Sequence, residues 1–187
     1  MKFNPDKVSG LTGELFEREL FGSVINLDPD NKLVQELRAR GDGYLPYEKA
    51  IQLVKEHTDL DDATEPERIF ARDLHATIAE ELCPKDYSHL RFYCARHTSL
   101  DVMHGVDAFF EYEDEPGQIY RVTLDSSLRD KDSIKADILI GQIPSKEIDK
   151  QGKEYEPKDY AYRVNEIAAQ ILDLFEERMK EAKRVAA

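Results

Sequence analysis

The sequence has no apolar run close to the roughly 18 residues that a membrane-spanning helix needs. Its opening, Met1-Lys2-Phe3-Asn4-Pro5-Asp6, lacks the apolar stretch of a secretory signal. Cysteine is scarce: Cys83 and Cys94 form neither a disulfide framework nor a Cys-x-x-Cys metal pair. Cys94 falls inside an apolar strand pattern, where a thiol serves as a small core group. These absences lead us to expect a cytoplasmic protein with no membrane association. There is also no serine-hydrolase elbow, Walker loop, dinucleotide fingerprint or Cys/His zinc pattern, and no internal repeat or low-complexity tract.

Positive charge is the other shortage. The net charge is −13, and neither half of the chain is basic: residues 1–88 carry 11 Lys and Arg against 19 Asp and Glu, and residues 89–187 carry 15 against 20. Proteins that hold nucleic acid by its phosphates usually present a basic face, so a nucleic-acid role would have to rest on a local patch. The best local cluster is Arg129, Lys131 and Lys135, diluted by Asp130 and Asp132.

What is present is an ordinary globular composition, 41% hydrophobic and 35% charged, over 187 residues. That length supports one domain with a substantial core. Apolar residues at helical spacing predict a helix over 11–25, a short one around Leu33–Leu37 ended by Gly41 and Gly43, and another from Pro46 to about His57. The acidic stretch Asp59–Asp62 reads as a solvated linker. Thr64-Glu65-Pro66-Glu67 has the pattern of a capping box opening the next helix, whose Phe70, Leu74, Ile78 and Leu82 make one apolar stripe before Cys83-Pro84. The period then changes to two. Strands are predicted over 90–96, 106–113, 119–125 and 136–140, the second and third joined by the turn Asp114-Glu115-Pro116-Gly117-Gln118. Residues 142–158 read as polar and irregular. A long amphipathic helix follows, opened by Pro157 with Asp159 as its N-cap. The order predicts an α+β, sandwich-like fold: a small mixed sheet of about four strands flanked by helices, with a helical N-terminal extension and a long C-terminal helix.

The hairpin register follows from requiring one apolar face, because a slip of one residue exchanges every side chain between faces. Pairing Glu113 with Ile119 sets Tyr112–Tyr120, Phe110–Val122 and Ala108–Leu124 on one face. The other face then carries Glu111–Arg121, Phe109–Thr123 and Asp107–Asp125. Opposed like charges are unfavourable in an antiparallel pair. They are tolerated when they share a proton, reach water or hold a cation. Mg²⁺ takes one or two carboxylates plus water and phosphate oxygens, an arrangement suited to metal-assisted phosphodiester cleavage.

Over residues 65–140 the sequence resembles the PD-(D/E)xK nuclease-like superfamily. The features that carry the resemblance are a leading helix, a strand, and a hairpin with His104-Gly105-Val106-Asp107 ahead of Ala108-Phe109-Phe110-Glu111. The second acid lies in Tyr120-Arg121-Val122-Thr123-Leu124-Asp125-Ser126-Ser127. The resemblance implies that Asp107 and Asp125 bind Mg²⁺ and that a lysine two residues past the second acid steadies the attacking water. That position is Ser127, which leaves Lys131 and Lys135 as the candidate lysines. A leading-helix glutamate could only be Glu67. About nine residues separate Ser126 from Ala136, short for a crossover helix. On this resemblance residues 1–60 form a helical N-terminal region and 61–187 a nuclease-like α/β core, together one compact unit.

Two functions follow as expectations. One is a divergent restriction-endonuclease-like domain performing Mg²⁺-dependent cleavage of DNA, with Asp107 and Asp125 as metal ligands, Lys135 or Lys131 as the catalytic cation and His104 in support. The other is a catalytically inactive nuclease-fold protein that binds a protein partner through its N-terminal helices. His97, Asp101, His104 and Asp107 also crowd the segment between the first two strands; on an irregular segment they read as polar loop residues.

Overall fold

A computed structural model describes residues 5–22, 27–128, 134–143, 147–148, 154–155 and 158–186. Helix α1 (Pro5–Phe21) begins earlier than the apolar spacing predicted. Helix α2 (Lys32–Arg40) starts at Asn31, whose side-chain oxygen accepts the Leu33 and Val34 N–H groups at 2.8 and 3.3 Å. It ends at Gly41 in the left-handed region (φ 72°). Helix α3 (Tyr47–Glu56) follows Pro46 and buries Ala50, Ile51, Leu53 and Val54.

Two expectations fail between 59 and 68. Asp59–Asp62 is not a linker: Asp59 precedes a short helix, α4 (Leu60–Thr64), whose first turn carries Asp61 and Asp62. Carboxylates there suit the positive end of the helix dipole. Thr64 is the last residue of that helix and its hydroxyl donates back to the Leu60 and Asp61 carbonyls. A hydroxyl spent on the preceding turn caps nothing, so helix α5 (Ile69–Leu82) starts instead after extended Arg68. Its stripe is as predicted, with Phe70, Leu74 and Ile78 buried and Leu82 half-buried.

After a 3₁₀ turn at Tyr87–His89 come β1 (Leu90–Cys94), the six-residue helix α6 (Ser99–His104), β2 (Ala108–Glu113), β3 (Ile119–Ser126) and β4 (Ile138–Ile140). Helix α6 replaces the expected loop: Thr98 caps it through the Leu100 N–H, and Gly105 at φ 66° closes it. Within 142–158 the described residues form two short paired strands, β5 (Glu147–Ile148) and β6 (Glu154–Tyr155). Helix α7 (Lys158–Ala186) runs 29 residues, with Asp159 inside its first turn rather than at its cap. Pro157 lies outside the described residues, as do Arg129 and Lys131.

The fold is α+β. The sheet order is β1-β2-β3-β4, the first three strands antiparallel and β4 parallel to β3. The observed β2–β3 ladder runs from Glu113↔Ile119 to Ala108↔Leu124, the six pairs that the one-apolar-face argument requires. Both faces are covered. Phe92, Phe110, Val122 and Leu124 pack with α1, α5 and α7 on one side. Tyr93, Phe109 and Ala95 pack with residues of α2, α3, α4 and α6 on the other. The N-terminal helical region therefore supplies parts of both outer layers.

Covering both faces buries charge. Glu111 is 2% exposed on the α3 side and is held by Lys55 Nζ at 2.5 Å and by Arg121 Nε and Nη2 at 3.0 and 2.8 Å. Asp137, just ahead of β4 and partly open to solvent, accepts the Thr123 N–H and hydroxyl, both at 2.7 Å, and pairs with Arg178 of α7 at 2.5 Å. Burial pushes the Asp137 carboxyl up, but the Thr123 and Arg178 contacts outweigh it and hold the group below its ordinary value. Arg96, 1% exposed, ties α1 to the sheet by donating to the Gly22 and Glu14 carbonyls at 2.6 and 3.2 Å.

Glu111→Ala leaves Lys55 and Arg121 facing each other at a buried position, and urea denaturation should show a loss of about 2–3 kcal/mol. A carboxyl with a depressed folded pKa contributes stability that is complete above the unfolded value near 3.9 and is lost as pH falls through the folded value. Asp137→Asn should therefore lower the melting temperature at pH 7 and flatten its decline between about pH 5 and 3. An unchanged acid limb in that variant would remove Asp137 from the acid response.

Candidate metal centre at the ends of β2 and β3

Gly105 prepares the site. Its left-handed backbone lets the chain leave α6 and turn into Val106 and Asp107, with the Gly105 N–H donating to the Asp101 carbonyl at 2.8 Å. A β-carbon there would be strained by the positive φ and would meet the Lys135 side chain at 3.5 Å. The regular ladder stops at Ala108↔Leu124, one pair short of the expected Asp107–Asp125. Instead the Asp107 N–H donates to the Leu124 carbonyl at 2.9 Å, while its carbonyl accepts the Ala95 N–H at 2.7 Å. Asp107 thus links β3 to the residue just beyond β1.

Its carboxylate reaches past Asp125 to Ser126, where Oδ2 accepts the backbone N–H at 2.8 Å and the hydroxyl at 2.7 Å. Asp107 is therefore tied to the residues on both sides of Asp125. Asp125 sits in the interior strand β3, in register with Leu139 of β4. Asp107 and Asp125 are each 4% exposed, and Ser126 is 2% exposed. Two carboxylates are thus withdrawn from water at neighbouring positions, one of them with an oxygen already held by two donors.

The remaining candidates are dispersed. Lys135 is exposed; its ammonium donates to the Met103 carbonyl at 3.2 Å. Lys131 lies outside the described residues. His104 engages the Leu45 carbonyl through Nε2 at 2.8 Å and lies against the Tyr44 and Tyr47 rings, so it fastens α6 to the start of α3. Asp101 accepts the His97 N–H at 2.7 Å, which helps hold His97 at φ 63°, the one positive φ outside glycine among the described residues. Glu67 is exposed in the link between α4 and α5.

Among the described residues no group of three or more His, Cys, Asp and Glu side chains is placed to hold a metal ion. The donor set on offer is two carboxylates, which suits a hard cation of the Mg²⁺ type that completes its shell with water and substrate oxygens. Ser126 is the residue that sequence reasoning missed. Its only signal was position: it follows Asp125 at the end of the strand that pairs with β2, within reach of the chain entering that strand. No family model, curated protein or solved structure matches the chain.

Ser126→Ala removes the hydroxyl donor to a buried carboxylate oxygen while keeping the backbone donor. It should cost about 1–3 kcal/mol in chemical denaturation. A cost near zero would mean that Asp107 does not depend on that hydroxyl.

Proposed function

We propose that the chain is a divergent nuclease-like domain in which Asp107 and Asp125 take a divalent cation of the Mg²⁺ class and act on a phosphodiester, with DNA as the substrate. The observation that carries this reading is the burial of both carboxylates at the joined ends of β2 and β3. Two carboxylates at neighbouring positions are the hard oxygen donors that such a cation takes, with water and substrate oxygens completing its shell. Ser126 fixes one oxygen of Asp107, which orients the carboxylate before any ligand arrives. The antiparallel meander followed by a parallel fourth strand, behind a leading helix, also accords with the resemblance, as an analogy of fold. When bound, such a cation lowers the pKa of a coordinated water and stabilises charge on a phosphoryl oxygen. Asp107 and Asp125 would hold that ion.

A second reading has its own observation. The Asp107 carboxylate is bonded within the fold, and the Lys135 ammonium is directed to the Met103 carbonyl. That pattern suits a scaffold retained without catalysis, whose partner is a protein.

In thermal denaturation, Mg²⁺ or Mn²⁺ should raise the melting temperature of the wild type but not of Asp125→Asn or Asp107→Asn. Absence of any metal response in the wild type sinks the metal-site reading. Plasmid nicking under Mn²⁺, lost in Asp125→Asn, is the result expected of the enzyme. A metal response without nicking favours the inactive scaffold.

A further inference from the structure

We propose that His57 is a pH-operated latch: its neutral ring fastens the start of helix α2 to the end of α3, and protonation of the ring releases it. His57 is the residue that closes α3. Its Nδ1 engages the Leu53 carbonyl at 2.8 Å, and its Nε2 accepts the Asp28 N–H at 3.0 Å. A carbonyl and an N–H are served together only by a ring with its proton on Nδ1 and a lone pair on Nε2. A doubly protonated ring keeps the Leu53 bond, and its charge suits a helix C-terminus. At Nε2, however, it sets an N–H against an N–H, and the tie to Asp28 is lost.

What hangs on that tie is lightly held. Residues 27–31 lead into α2, and Asn31, its N-cap, also reaches the end of α3 by donating from Nδ2 to Glu56 Oε2 at 2.6 Å. Of the helix itself only Val34 is buried, with Leu33 and Leu37 half-buried. The Lys49–Glu36 ion pair at 2.6 Å lies toward solvent, where such pairs contribute little. So short a helix with so few buried contacts belongs to the low-stability end of a fold. Its release uncovers part of the apolar cluster that Val34 shares with Ile51 and Val54.

The charged groups around the ring are Asp62, Glu67 and Arg68, which line the same cleft as His57, Glu56 on its own helix, and Asp28 and Asp30 in the loop. Asp62, Glu67, Arg68 and Glu56 stay beside the ring whether the loop is fastened or free. The Asp28 carboxylate accepts the Asp30 N–H at 3.0 Å and is spent within the loop. The acceptor bond at Nε2 therefore decides between the two forms, and closure weakens as pH falls. Neither Asp107 nor Asp125 touches the latch, so this proposal and the metal-site reading stand or fall separately.

The test follows amide hydrogen exchange of the full chain at about pH 7.5 and about pH 5.5, either side of the ordinary histidine value near 6.5 and above the carboxyl range. Rates are corrected for intrinsic exchange, and α5 and α7 serve as internal references. In the wild type, protection over residues 33–38 should fall about 3- to 10-fold at the lower pH, the loss of one hydrogen bond, while α5 and α7 hold theirs. In His57→Gln, protection of α2 should be independent of pH, whether the amide oxygen replaces the acceptor and keeps α2 closed or fails to and leaves it open throughout. The long-range ¹H–¹⁵N spectrum of the wild type should show the Nδ1–H tautomer of His57 at the higher pH. An Nε2–H tautomer there, unchanged α2 protection in the wild type, an equal loss in α5 and α7, or the wild-type pH response persisting in His57→Gln overturns the proposal.

Discussion

A sheet covered on both faces has no solvent in which to leave a charge, and that constraint shapes most of this molecule. Strand alternation puts Phe92, Phe110, Val122 and Leu124 under α1, α5 and α7, and this fixes the register. The same register delivers Glu111 and Thr123 to the α3 side, where α3 and its neighbours close over them. Each buried carboxylate must then bring its own compensation. Glu111 has two cations, and even the more exposed Asp137 has a threonine and an arginine. Asp107 has the N–H and hydroxyl of Ser126. These contacts also hold the layers together, since Lys55 belongs to α3 and Arg178 to α7. Polar compensation and layer packing are therefore one system: removing a carboxylate loosens a helix as well as a strand.

How much of this was legible depended on the length of the repeating pattern. The β2–β3 register was read in full over six pairs, because two alternating faces and a defined turn leave one arrangement that keeps both consistent. The apolar stripe of α5 and the Gly41 stop were equally plain. Helix α6 was not, since six residues are too few to show a 3.6-residue period. Thr64-Glu65-Pro66-Glu67 misled because a threonine hydroxyl serves the start or the end of a helix with equal chemistry. Only the location of Leu60 and Asp61 one turn earlier decides the matter. Asp59–Asp62 misled for a related reason: acids that mark a solvated loop also favour a helix N-terminus.

The candidate site was legible as a place and less so as a geometry. Asp107 and Asp125 do lie at the same end of adjacent strands. Their facing pair, however, is replaced by a departure from the ladder in which the Asp107 N–H bonds Leu124 and the carboxylate reaches Ser126. Alternation predicts the average course of a strand, but not the residue at which it yields to the turn feeding it, here the left-handed Gly105. A serine within reach of an acid leaves no periodic mark, and so Ser126 went unread. Lys135 illustrates the converse: its distance along the sequence suited a catalytic role, yet its ammonium is used to hold the end of α6.

The net charge of −13 opposes a phosphodiester at the acid pair. A bound divalent ion would be the largest local charge there and would invert the sign at the point of contact. On the nuclease-like reading, then, the cation serves binding as well as chemistry, because it makes an acidic protein attractive to phosphate. The metal response of Asp107 and Asp125 consequently precedes activity in the logic of the molecule: without it, the acid pair is part of the scaffold.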